Sequence, residues 1–256
     1  RVVSPSGRSL NFTYGSGNYI SNVADQTGRG VSYSYNGGAL SQVTFPDGTN
    51  EQYTYDRNQR MLTMQDRRGN IWVTNDYDSN GRVSKQTYAD NANYQFAYSL
   101  DANQQVTATT TTDPNGNKEY VAFDPVSKYP MSDTWAYGTS LAQTLTYVRQ
   151  ASGLVDSVTD ALGRKTTYGY DNSGNVTRIT RLADTAQATT YQYSYTPDFS
   201  QIASITDPLN HTTTFIYTNG CLSQVVNSLG HAVTILCNGA GQPTVVEDAL
   251  GHLTTI

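Results

Sequence analysis

Apolar and polar positions alternate along nearly the whole chain in short bursts, and each burst is broken by a cluster of Asp, Asn and Gly. In Phe12 and Tyr14, Tyr33 and Tyr35, Tyr53 and Tyr55, Tyr168 and Tyr170, and Phe215 and Tyr217, aromatic residues stand two apart. A period of two sets both members of a pair on one face of a β-strand. Between bursts stand tetrapeptides such as Asp56-Arg57-Asn58-Gln59, Asp78-Ser79-Asn80-Gly81 and Asp171-Asn172-Ser173-Gly174. After the next apolar run a second set follows, including Asp25-Gln26-Thr27-Gly28, Asp66-Arg67-Arg68-Gly69, Asp160-Ala161-Leu162-Gly163 and Asp248-Ala249-Leu250-Gly251. Asp and Asn bond to their own backbone and Gly supplies positive φ, so each tetrapeptide reverses the chain. The pattern predicts one β-hairpin per period, with hairpins following one another without linkers.

The last aromatic of each first strand marks the period: Tyr14, Tyr35, Tyr55, Tyr77, Tyr98, Phe123, Tyr147, Tyr170, Tyr195, Tyr217 and, in degenerate form, Leu236. Successive markers lie 19 to 25 residues apart, which predicts eleven units in one array over residues 1–256. A hairpin cannot bury its own apolar face, so it stacks against its copies. The expected fold is all-β, a single-layer antiparallel sheet with an aromatic ladder along one half-dry face, where a tyrosine ring packs while its hydroxyl keeps a polar partner. Eleven hairpins supply about 22 strands, which at roughly 4.8 Å each make a strip roughly 100 Å wide. A strip so wide curls under its own twist, and bent into a ring it has a diameter of about 35 Å, suited to a small folded domain.

Composition agrees with this reading. Of 256 residues, 37% are hydrophobic and 14% charged, with 20 Tyr and 21 Gly. A net charge of −5 offers no basic stripe for phosphates, so nucleic acid is not an expected partner. No apolar run reaches the length of a membrane-spanning helix. The chain starts and stops in mid-pattern, and a longer parent protein is expected.

Candidate chemistry is sparse. The Asp residues sit at turn starts, where backbone bonding explains them, and not in a converging carboxylate pair. His211, His231 and His252 follow three consecutive inter-hairpin turns and could share a rim as metal ligands do; the same slot holds Arg29, Asn70, Asn117 and Arg164, which reads as polar and exposed. No phosphate loop, His-Glu-x-x-His or nucleophile elbow is present. The expectation is no catalytic residue, cofactor or metal. Cys221 and Cys237 are centred on the turn at Ser228-Leu229-Gly230-His231, which sets them opposite each other on adjacent strands; a disulfide and a pair of buried thiols are both open.

The pattern aromatic-x-Tyr-Asp-x-x-Gly-x-Val/Leu with a trailing Asp-x-x-Gly turn, cleanest from Tyr170 to Ile179, resembles the YD repeat of the Rhs family, shared with the C components of Tc toxin complexes and with teneurins. The resemblance implies a strip of antiparallel strands spiralling into a hollow shell, which in bacterial members encloses a linked C-terminal toxin and ends in a self-cleaving Asp-Pro-x-Gly-Leu segment. Asp113-Pro114-Asn115-Gly116 departs from that segment, with Asn117 in place of Leu, so no protease role falls on this chain. The function expected is therefore a non-enzymatic shell segment of a secreted or delivered protein, its partners a covalently linked passenger and further shell repeats, with secretion machinery or glycans as further candidate partners. The alternative is a carbohydrate-binding or adhesion module at a cell surface, and a repeat-scaffold polysaccharide enzyme trails both.

Overall fold

The computed structural model describes residues 1–256 as 24 β-strands and one short 3-10 turn at Ser16–Asn18. Its contacts divide into two compact units, one of Arg1–Val2 and Ser9–Gln143, the other of Val3–Arg8 and Thr144–Ile256. The first holds six hairpins, from Ser9–Tyr14 with Ile20–Asp25 to Lys118–Phe123 with Pro130–Trp135. The second holds five, from Gln143–Arg149 with Val155–Thr159 to Ala232–Cys237 with Pro243–Glu247. Within each unit successive strands pair antiparallel in chain order, as alternation broken by Asx turns requires.

The two faces divide as the period of two dictates. Tyr33 lies opposite Val43, Tyr53 opposite Met64, Tyr168 opposite Ile179 and Tyr193 opposite Ile205. On the other face Ser32 meets Thr44, Thr54 meets Thr63 and Ser194 meets Ser204, the last two pairs joined through their hydroxyls. Along Gly30–Asn36 the tyrosines are half-buried while the serines between them are exposed. A single layer has no second sheet to close over the apolar face. Accordingly only Val43, Val73, Ala108 and Ala183 are buried hydrophobic residues, and no large side chain is fully buried.

Every hairpin carries a β-bulge where the first strand approaches its turn. Tyr170 pairs with Val176 and Gly169 with Arg178, leaving Thr177 as the extra residue of the second strand; Tyr14 and Ser21, Tyr35 and Ser41, and Tyr217 and Ser223 repeat the arrangement. An extra residue sharpens the local twist and breaks the ladder, which frees carbonyls that need new donors. Two side chains supply them. The bulged hydroxyls of Ser21, Ser41, Thr107, Ser223 and Thr244 donate to the carbonyls of Thr13, Ser34, Ser99, Ile216 and Leu236 at 3.1 to 3.2 Å. The tyrosine hydroxyl of the next hairpin serves the other carbonyl: Tyr35 donates to Ile20, Tyr77 to Met61, Tyr98 to Val83, Tyr170 to Val155, Tyr195 to Val176 and Tyr217 to Ile202, at 2.6 to 3.0 Å.

The bulge follows the turn, not the aromatic. In three hairpins Leu100, Arg149 and Cys237 hold the bulge slot, so the markers Tyr98, Tyr147 and Leu236 stand one or two residues short of it. The ladder differs from expectation as well. Equivalent positions recur every second strand, about 9.6 Å apart, beyond the roughly 4.5–7 Å of ring contact. Turn arginines fill that interval, Arg60 over the Tyr77 ring at 4.7 Å and Arg82 over Tyr98 at 4.9 Å. Ring pairs form instead where a turn or an extra residue brings rings together, as with Tyr19 on Tyr35 at 4.8 Å and Tyr120 on Tyr137 at 4.7 Å.

Candidate functional site

The acidic residues are built into the turns. In the turn after Tyr55, Oδ1 of Asp56 accepts the backbone N–H groups of Asn58 and Arg60, while Oδ2 takes the Arg60 guanidinium. Asp78 with Arg82, Asp160 with Arg164, Asp171 with Asn175 and Asp113 with Asn117 copy the design. Hydrogen bonds donated to the charged form favour it, so these carboxyls sit below the usual carboxylate range; for Asp56 the Arg60 N–H and guanidinium are the main causes. Such groups are ionised, coordinated and unsuited to proton donation near neutrality.

The slot four residues after the turn Asp is more specific than polar and exposed. It holds the donor that closes on the second carboxylate oxygen. His211 reaches Asp207 from Nδ1 at 3.0 Å and His252 reaches Asp248 at 2.8 Å, while the His231 backbone N–H binds Asn227. Each histidine is thereby held to its own turn, and no group of three metal-binding side chains comes together. The signal for this clamp was present in the sequence as the recurrence of Arg, Asn or His at a fixed offset from Asp.

Cys221 and Cys237 are joined in a disulfide, with Cα atoms 6.5 Å apart. Val225 opposite Val233 and Val226 opposite Ala232 set the register that brings them face to face. Pro5, Ser6 and Gly7 lie over this pair and share with it a cleft of about 610 Å³.

Two places depart from the repeat. On the half-dry face of the first unit, Asp133 stands opposite Val121, with Glu119 two residues along that strand. Burial, then the Glu119 charge, pushes the Asp133 carboxyl up to about 6, and its Oδ1 is buried without a hydrogen-bond partner. The pair can share a proton. The second departure is a cleft of about 510 Å³ lined by Trp72, Tyr88, Asp90, Tyr94 and Pro114. Among the aromatic markers, Tyr35, Tyr77, Tyr98, Tyr170, Tyr195 and Tyr217 bond across the hairpin seams, while Tyr14 is exposed and the others are half-buried.

Residues 151–187 match the RHS Repeat family model. They span the strands Val155–Thr159, Lys165–Tyr170 and Val176–Arg181 with both kinds of turn. No curated protein is similar to the chain in sequence. Among solved structures it is similar to the TcdB2-TccC3-Cdc42 crystal structure, at 9% identity and a TM-score of 0.46 over 96% of this chain and 18% of that one. It is also similar to the Photorhabdus luminescens Tc holotoxin pore, at 9% identity and a TM-score of 0.30 over 98% and 22% of the two chains. A porin-like protein from Bacteroides uniformis gives 12% identity and a TM-score of 0.31 over 85% and 87%. The chain thus spans about a fifth of the toxin chains it matches.

Proposed function

On the premise that its repeat is of the Rhs/YD type, we propose that this chain is a segment of a shell wall that encloses a covalently linked passenger polypeptide, and that it has no catalytic activity of its own. The observation that carries the reading is the uniformity of the seam. Hairpin after hairpin uses its tyrosine hydroxyl, its bulged residue and its turn Asp for its own architecture, leaving these repeated side chains no chemistry to perform. A wall that must hold a polypeptide without gripping it should be polar and weakly charged, in keeping with 14% charged residues and abundant Thr, Ser, Asn and Tyr. The passenger is a toxin or effector domain of a protein delivered out of a bacterial cell, and the remaining repeats of the parent protein complete the wall.

Limited proteolysis of the full-length protein tests this. A downstream domain should survive digestion while the repeats are folded and become sensitive once they are unfolded by mild denaturant. Equal sensitivity in both states would overturn the proposal.

A further inference from the structure

In a repeat array, a cluster of departures from the repeat marks a place that has been given a task the repeat does not need. Two departures meet beside Trp72. The ladder into Ile71–Tyr77 is itself bulged: Met64 pairs with Val73 and Gln65 with Ile71, so Trp72 is an extra residue pressed out of register and 38% exposed. The ladders Asn22–Ser32 to Ala24–Gly30 and Gln42–Gln52 to Thr44–Asn50, between earlier hairpins, run without a shift. In the next inter-hairpin turn Tyr88 occupies a position that Asp holds in most such turns and that Phe45 holds in one other, its N–H bonded to the Ala92 carbonyl. In the turn after that Pro114 follows Asp113, as Pro208 follows Asp207, and lines the same cleft.

The rings form an open corner, Trp72 to Tyr88 at 6.2 Å and Tyr88 to Tyr94 at 5.8 Å with the latter pair nearly perpendicular. At its rim Asp90 is exposed. Its Oδ1 accepts the Ala92 N–H at 3.0 Å and its other oxygen takes no partner from the chain. The Tyr88 hydroxyl is occupied by Gln86, at 2.9 Å. The corner therefore offers apolar ring faces together with an acceptor-only carboxylate, and no cation lines it. Anionic ligands are repelled. A proline-rich peptide, poor in N–H groups, has little to give a carboxylate. A sugar ring has both requirements, a face of C–H groups for an aromatic platform and a rim of hydroxyl donors for a carboxylate.

We propose that this cleft binds a neutral saccharide, a hexose or N-acetylhexosamine unit stacked on Trp72 with its hydroxyls donated to Asp90. The site stands apart from the shell reading and does not depend on it. The test is binding of the full chain to an array of neutral hexose and N-acetylhexosamine glycans, followed by titration of the strongest binder against Trp72→Ala, Asp90→Asn and the control Trp135→Phe. Saturable binding that weakens about tenfold or more in the first two variants and is kept in the control is expected, a loss of about 1.4 kcal/mol. Asp90→Asn keeps the exposed turn bond, so its unchanged melting separates loss of binding from loss of fold. No bound glycan, or binding indifferent to both variants, overturns the assignment, and binding of a proline-rich peptide instead would transfer the cleft to another ligand class.

Discussion

Tyr170 donates its hydroxyl to the Val155 carbonyl of the preceding hairpin at 2.8 Å, and Tyr195 does the same to Val176, so the atom that separates tyrosine from phenylalanine is used at the seam. Removing it leaves a bulge carbonyl short of a donor. Tyr170→Phe should therefore cost about 0.5–1.5 kcal/mol, the usual net contribution of one hydrogen bond, and Tyr170→Ala more, because the ring's packing goes as well. Tyr55 is the internal control, since its hydroxyl makes no such bond to the hairpin before it. Urea unfolding midpoints decide the matter: Tyr170→Phe as stable as the parent, or no worse than Tyr55→Phe, would assign the seam to ring packing alone.

At the scale of elements, each hairpin tip places a residue in the left-handed region, glycine at most of them and Gln59, Gln104, Lys128 and Ser200 at the others, yet two glycine tips carry a further demand. Gly220 has φ +76° and a Cβ there would lie 2.1 Å from the Pro5 Cβ; at Gly241 it would lie 2.4 Å from the Ser6 Cβ. Gly230, at φ +83°, has nothing within 4 Å of the same point. Gly230→Ala thus isolates the backbone cost, about 1–2 kcal/mol. Gly220→Ala adds a collision with the N-terminal segment, which closes its own turn through Ser4 and Arg8. The expected result is a clearly larger fall in melting temperature for Gly220→Ala, with cleavage by protease near Pro5. Equal losses in the two variants would mean that the segment does not rest on that tip.

Across the whole molecule the turn carboxylates give stability a common pH dependence. Asp56, Asp78, Asp160, Asp171 and Asp207 are all held below the usual range by donated hydrogen bonds, so the native state binds fewer protons than the unfolded chain. Their contribution is complete above the unfolded pKa of about 3.9 and is lost as pH falls through the lower native values. Asp133 acts in the other direction. With its native pKa at about 6, the folded chain holds a proton that the unfolded chain has released, so stability falls as pH rises from about 4 to 6. A maximum between those limits is expected in denaturant midpoints measured from pH 2 to 8. Asp133→Asn should flatten the upper slope and be more stable than the parent at neutral pH; an unchanged slope would show that Glu119 and Asp133 do not share that environment.

The sequence alone determined what is decided within one strand or by symmetry about one turn. Tyr33 and Tyr35, or Tyr168 and Tyr170, declare their face by spacing, and Asp160 to Gly163 declares a turn by its own backbone chemistry, so the eleven hairpins and the meeting of Cys221 with Cys237 were legible from alternation and symmetry about a turn. What lies across a seam was not. Which carbonyl Tyr170 reaches, why Leu100, Arg149 and Cys237 hold the bulge slot, and how Arg60 comes to cover Tyr77 all follow from backbone register between neighbouring strands, which no side-chain pattern states. The Trp72 cleft, the Asp133 carboxyl and the contact of Pro5 with Gly220 lie further still from the local code. They join residues 14 to 215 positions apart in sequence, and only the accumulated pairing of strands brings such residues within reach.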